Sequence, residues 1–303
     1  MPKSRRLLFQ GRFVDLHRNP ARISLLNSPE CTIKPFITAL TVGHIPGEPT
    51  HPGVTLDEFV WTVINQCTSL TSLQVRPSGK TILPFFLGLS SSLTHLRIIR
   101  YLRGSDDWAS ITAGRLLELI GNFDALEILS LTCPAGTRRL TVDPISVPAN
   151  SKQPLSGLTR LRRLEVDLEW NVFIPWFLIP GVSPFPDLET LELKFNQHYF
   201  SVRAPLLQPF FNLCSFAVKH LTISVRWRVL PVLDLSHFVC LRSICFTGLG
   251  AGPDPHHLQQ LIDIVSTCPN RNTASPLRVY LTTYKELQGP SAIQGVEWIV
   301  KER

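Results

Sequence analysis

One methionine, 17 glycines and no long apolar run are what this chain has little of. A membrane helix needs roughly 18 or more uninterrupted apolar residues, and the nearest approach, Val172 to Val182, is broken by Pro175 and Pro180. Leu7 to Phe9 is too short to be the apolar part of a secretory leader, and no proline-free Asn-x-Ser/Thr sequon occurs. The seven cysteines are odd in number and contain no CxxC pair, so neither a disulfide framework nor a zinc ribbon is expected. Reduced thiols in the cytoplasm or nucleus, and no membrane, are the expectation.

What the chain does have is 44% hydrophobic residues, 25 prolines and a net charge of +7 from 30 basic and 23 acidic residues. That apolar content can bury a large core, and the prolines divide it into many short elements. The charge permits an acidic partner but does not by itself make a nucleic-acid binder.

A short pattern, apolar-x-x-apolar-x-apolar, recurs at Ile37 to Val42, Leu70 to Val75, Leu93 to Ile98, Leu126 to Leu131, Leu161 to Val166, Leu188 to Leu193, Val218 to Ile223 and Leu241 to Phe246. A looser ninth copy is Leu277 to Thr282. The second apolar positions are 40, 73, 96, 129, 164, 191, 221 and 244, so the spacing runs from 23 to 35 residues. It averages about 29, the upper end of the leucine-rich-repeat range. The last two apolar residues of each copy alternate on a short strand and point inward. One copy cannot bury its own apolar face, so neighbours must stack.

Helices are predicted between strands. Thr55 and Glu58 form a capping-box pair ahead of Leu56, Phe59, Val60, Val63, Ile64 and Cys67 at helical spacing. Leu116, Leu119, Ile120 and Phe123 repeat that spacing, as do Leu258, Leu261, Ile262 and Val265 behind Asp254 and Pro255. The sequence therefore reads as an α/β leucine-rich-repeat solenoid, a horseshoe with a parallel concave sheet and convex helices or turns. Residues 1–36 read as an N-terminal cap, 37–288 as about nine irregular repeats with a loop inserted at 133–157, and 289–303 as a C-terminal capping helix with Ile293, Val296, Ile299 and Val300 on one stripe.

These repeats, together with Leu8-Phe9, the segment Ala21 to Ser28 and a first strand within Pro35 to Val42, resemble the leucine-rich-repeat part of the F-box/leucine-rich-repeat family of mushroom-forming fungi. The resemblance covers about residues 7 to 285 and implies a surface that selects substrates for ubiquitylation. The family's helical F-box, which docks a cullin-ligase adaptor, would precede this region. Six residues stand before Leu7, leaving no room for it, so adaptor docking is not expected of this stretch.

Several chemical signals dissolve on inspection. Ser78-Gly79-Lys80-Thr81 follows a strand as a phosphate loop would, but Gln74 stands where its first glycine must be. Gly248, Gly250 and Gly252 imitate a dinucleotide turn, but Pro253 replaces the last glycine. His256 and His257 are helical neighbours about 100° apart and cannot chelate one ion. Gly88-Leu-Ser90-Ser-Ser92 lacks the closing glycine of a nucleophile elbow. Neither an enzyme nor a cofactor is expected. The cluster Trp170, Phe173, Trp176 and Phe177 reads as core packing, with a binding knob as the alternative.

Strand alternation puts the residues between the inward positions on the open face. The partner-binding candidates are Arg76, His95, Arg97, Arg163, Glu165, Asp167, Glu192 and Lys194. Early repeats are basic and middle ones acidic, which would hold a protein partner in register. A nucleic-acid binder would instead use Arg160, Arg162, Arg163, Arg226 and Arg228 on phosphates.

Overall fold

The computed structural model describes residues 14–15, 25–26, 28–42, 63–75, 92–99, 117–132, 158–167, 174–179, 185–195, 200–225, 233–248, 255–269, 276–283 and 296–302. The chain falls into two compact units, Met1–Leu140 and Thr141–Arg303.

In the first unit five strands, β1 (Val14–Asp15), β2 (Ala39–Val42), β3 (Ser72–Val75), β4 (His95–Ile99) and β5 (Ile128–Thr132), pair in chain order, each parallel to the next. Leu40, Leu73, Leu96 and Leu129 share one row, and Val42, Val75, Ile98 and Leu131 the next. All eight are buried. The strand expected within Pro35 to Val42 is thus not the first: β1 precedes it, and Lys34–Phe36 is a 3₁₀ turn.

The second unit repeats the arrangement with β6 (Arg163–Asp167), β7 (Thr190–Phe195), β8 (His220–Val225), β9 (Ser243–Thr247), β10 (Leu277–Thr283) and β11 (Val296–Glu302), again parallel and in chain order. Among the described residues of this unit three helices lie between strands: α1 (Ile174–Phe177), α2 (Phe200–Cys214) and α3 (Pro255–Ser266). Parallel neighbours require a crossover each time. One strand per repeat in an unbroken parallel order defines the leucine-rich-repeat solenoid, an α/β fold.

The repeat proves longer than its sequence signature. Three residues before the first apolar position lies another buried slot, filled by Cys67, Phe123, Leu158, Phe185 and Phe238 in five repeats. In each, the carbonyl of that residue accepts the N–H three residues on, as in Leu70 to Cys67 (3.0 Å) and Leu126 to Phe123 (2.9 Å). A tight turn thus buries its first side chain and launches the strand. One carbonyl of the preceding repeat then accepts two successive N–H groups, Thr38 from Thr71 and Ser72, Thr71 from Thr94 and His95, Glu189 from Lys219 and His220. These bonds fix the register at the starts of β3, β4 and β8.

Two repeats place polar residues in the buried slot. Ser215 donates its hydroxyl to the Asn212 carbonyl (2.9 Å), and Lys34 donates from Nζ to Gln66 Oε1 (2.6 Å). Both are buried, and both satisfy the rule that a polar group taken from water needs a partner.

α2 carries Leu207, Phe210, Phe211 and Cys214 on one buried stripe. Phe177 of α1 stacks on Phe210 (centroids 5.5 Å apart) and meets Phe185 edge-on (5.8 Å), so it is core, not a binding knob. Trp170 and Phe173 lie outside the described residues, as does the 133–157 stretch, and Trp176 stands within α1. Val63, Ile64 and Cys67 are buried as the first predicted helix requires; in the second, Leu117, Ile120 and Phe123 are buried and Leu119 is only half-buried.

The C-terminal capping helix is corrected: residues 296–302 form β11, paired with β10 over seven positions from Leu277↔Val296 to Thr283↔Glu302. Val296, Trp298 and Val300 fit strand alternation just as Val296, Ile299 and Val300 fit a helical stripe, and pairing with β10 selects the strand. Gly248, the first glycine of the dinucleotide-like stretch, has φ 78°, a left-handed turn leaving β9 that a side chain would oppose.

Candidate recognition faces

Each unit presents a sheet face on the side away from its leucine rows. On the first unit it carries Ser72, Gln74, His95, Arg97 and Ser130. His95 and Arg97 are exposed on β4, as expected. The Thr94 hydroxyl lies 3.1 Å from the Thr71 carbonyl and 2.7 Å from His95 Nδ1, tying the ring to its own strand start. Ser130 and Thr132 are buried. Arg76 lies outside the described residues.

On the second unit the in-register pairing sorts the face into rows. The first is Arg163, Thr190, His220, Ser243, Arg278 and Glu297; the second is Glu165, Glu192, Thr222, Cys245, Tyr280 and Ile299. Asp167, Lys194, Ser224 and Thr247 continue as a third.

Glu165 and Glu192 stand directly opposite each other, a repulsive arrangement for like charges. The structure resolves it by alternation. Arg163 Nη2 meets Glu192 Oε2 at 2.9 Å, Lys194 Nζ meets Glu192 Oε1 at 3.5 Å, and Lys194 also bonds Glu165. Glu165 and Asp167 are buried, which corrects their expected role as exposed contacts. An acidic residue between neighbouring strands loses water on both sides and takes up a cation from its own sheet. Of the acidic middle, Glu192 keeps partial exposure; Lys194 and Arg163 are the more accessible members.

Lys194→Met is expected to cost about 1–3 kcal/mol, since it leaves Glu165 buried beside Glu192 without the Lys194 cation. Adding Glu165→Gln should recover most of that loss in a denaturant titration.

The strand starts are basic. Arg162, Arg163, Arg242 and His220 are exposed, and Arg278 keeps most of its side chain in solvent. Glu189 interrupts the cations and is taken up by Lys219 Nζ at 2.7 Å. Lys219's hydrogen bond and its charge hold the Glu189 carboxyl below its ordinary value, against a small opposing effect of desolvation. His220 Nδ1 and Ser243 Oγ are 2.8 Å apart, a hydroxyl–imidazole pair. Catalysis would need an acid to orient the ring, and Glu189, the carboxylate nearby, is engaged by Lys219.

Among the described residues no three of His, Cys, Asp and Glu come together as a metal site requires, and no helix is long and apolar enough to cross a membrane. Arg160, Arg162 and Arg163 are exposed, while Arg226 and Arg228 lie outside the described residues.

The sequence reading missed Ser243 and Arg278. The signal was present: carrying the alternation one step, two residues, back from Cys245, and into the ninth copy, gives both.

Comparison with protein families and with curated proteins gave no match. Among solved structures, a leucine-rich-repeat protein of Leptospira interrogans is similar over 72% of this chain and 52% of its own, at 12% identity and a TM-score of 0.26. The match thus spans about half the length of that protein. The repeat fold is assigned here from the parallel ladders and the recurring turn.

Proposed function

We propose that this chain is a non-catalytic protein-recognition module that takes its partner on the open sheet face of the second unit. The observation carrying this reading is the row Arg163, Thr190, His220, Ser243 and Arg278, with Arg162 and Arg242 beside it. Strands spaced about 4.8 Å apart set these cations and hydroxyls on a regular comb suited to an extended segment rather than a compact metabolite. The partner is a protein bearing acidic side chains, since the accessible charge along the strand starts is positive. The resemblance to the F-box/leucine-rich-repeat family supports the finer reading that the partner is a substrate presented for ubiquitylation, in the cytoplasm or nucleus.

The basic strand starts also favour a second reading, phosphate contacts to nucleic acid. The two separate by salt dependence, steep and uniform for phosphates, and by base-independent retention on nucleic acid.

The test is an affinity pull-down from matching extract with the wild-type chain and an Arg163→Glu, Arg278→Glu variant, probed for the ubiquitin-ligase adaptor and for co-purified proteins. Proteins bound by wild type should fall at least about tenfold with the variant, the loss expected from removing two charge pairs. His95→Ala, Arg97→Glu tests the first unit's face separately. Equal recovery by all three chains overturns the reading, and adaptor recovery supports the ligase link.

A further inference from the structure

We propose that the turn edge of the second unit, centred on Phe216 and Val239, anchors an extended acidic protein segment by a large apolar side chain. This deepens the recognition reading and rests on it, since the edge adds an apolar anchor to the basic strand starts.

The residue after the buried turn slot faces water. In other repeats it is Thr68, Asp124 or Thr159, or a proline, Pro35 or Pro186, and all five are exposed. Before β8 and β9 it is Phe216, 75% exposed, and Val239, 51% exposed. Among the described residues Leu25 is the one other large apolar side chain open to this degree. A single exposed apolar residue is ordinary, but two on neighbouring turns make a patch, and contiguous apolar surface marks a binding site. The next position widens it, with Ala217 half-buried beside Phe216 and Cys240 exposed beside Val239.

The backbone sets the two turns side by side. Three residues beyond Phe216 the Lys219 carbonyl accepts the N–H of Arg242, three residues beyond Val239, at 2.8 Å. Both turns are held from behind. Ser215 bonds back to Asn212, and Gln208 of α2 donates from Nε2 to the Asp234 carbonyl (2.8 Å) while its Oε1 accepts the Asp234 N–H (3.0 Å). A patch that already has its bound shape loses little conformational freedom on binding.

The surrounding charge selects the occupant. Arg242 and His237 are exposed on either side of Val239, and Lys219 stands in line with Arg242. Among the described residues no carboxylate takes up Arg242. A second copy of this chain, at net charge +7, would bring cations against these cations. A flat anionic membrane would meet Asp187, exposed on the turn before β7, as well as Phe216. An extended segment is narrow enough to seat one apolar side chain on Phe216 and Val239 and to reach Arg242 with a neighbouring carboxylate.

The test is fluorescence anisotropy on the full chain with a set of short labelled peptides, each carrying one leucine, phenylalanine or tryptophan among aspartates, and counterparts with serine in the apolar place. The best apolar peptide should bind at least about tenfold more tightly than its serine counterpart. Phe216→Ser, Val239→Ser should abolish that preference and leave the serine peptide unchanged, whereas Arg242→Glu should weaken both. Bound peptide should also slow alkylation of Cys240, which reports on the patch in the wild-type chain and decides the question if the double variant fails to fold. Acidic peptides that bind without an apolar preference, or that leave Cys240 unprotected, overturn the anchor while the acidic-partner reading stands. If no acidic peptide binds, that reading falls with it. Retention on phosphatidylserine vesicles, or dimerisation in sedimentation velocity, that is lost in Phe216→Ser, Val239→Ser and occurs in place of peptide binding overturns the proposal in favour of a lipid surface or a second copy.

Discussion

Truncating Phe177 to alanine is expected to destabilise the chain by about 3–5 kcal/mol, measured by denaturant titration. Phe177 has no exposed surface and sits between two other rings, stacked on Phe210 of α2 and edge-on to Phe185 of the turn before β7. Removing it costs the transfer free energy of the ring and leaves a cavity between elements that cannot all collapse inward. A typical domain is stable by only about 5–15 kcal/mol, so the loss should be visible as a large fall in unfolding midpoint. Phe177→Leu, which retains more volume, should cost less. A double-mutant cycle with Phe210→Ala should show coupling of about 0.5–1.5 kcal/mol, the worth of an aromatic pair beyond its buried area. If Phe177→Ala unfolds no more easily than wild type, the three-ring cluster does not hold α1 against the repeats.

The same packing explains why the binding face can be polar. The solenoid buries its leucine rows, and the turn slots, on one side of the strands. The other side is left to the residues between them, where each strand contributes one position per row. A charge placed there meets its neighbour in the next strand at fixed register, which is why Glu165 and Glu192 needed Lys194 and why Glu189 is taken up by Lys219.

Strand positions were legible in the sequence because alternation leaves a regular mark: the Leu40, Leu73, Leu96 and Leu129 row was located from spacing alone. The turn slot was not, because a backbone hydrogen bond defines it and its occupants range from Phe123 to Lys34 and Ser215. α2 escaped because Pro205 and Pro209 stand within it, and prolines normally end helices. β11 escaped because Ile293, Val296 and Ile299 fall at helical spacing, and only a neighbouring strand settles such a choice. For the face, alternation correctly located His95, Arg97 and Arg163 as exposed. It could not foresee that Glu165 and Asp167 would be buried, since burial depends on what surrounds a strand as well as on which way its residues point.

Cys67 is expected to resist alkylation in the native chain far more than Cys240, which is exposed. Burial pushes its thiol up from 9.0 to about 11; the charge of Lys34 pulls it down and Cys31 adds slightly to the rise. Its proton is also directed to the Val63 carbonyl at 3.2 Å. The thiolate is the reactive form, so at mildly alkaline pH ionisation alone should slow Cys67 about 100-fold relative to an ordinary thiol. Denaturant should abolish the difference. Because the folded thiol holds its proton where the unfolded one releases it, the contribution to stability is full below pH 9.0 and is lost as pH rises towards about 11. Cys67→Ala should therefore flatten part of the alkaline fall in stability, on the order of 2 kcal/mol. Lys34 lies in the buried turn slot that other repeats fill with apolar side chains, and its partner Gln66 is exposed and can return to water. Lys34→Met should thus cost little stability or add some, since a buried cation is exchanged for a hydrophobe of similar length. It should also slow Cys67 labelling further, because the leading influence holding the thiol down is gone. Labelling of native Cys67 as fast as Cys240, or faster in Lys34→Met than in wild type, would show that this slot is open to solvent.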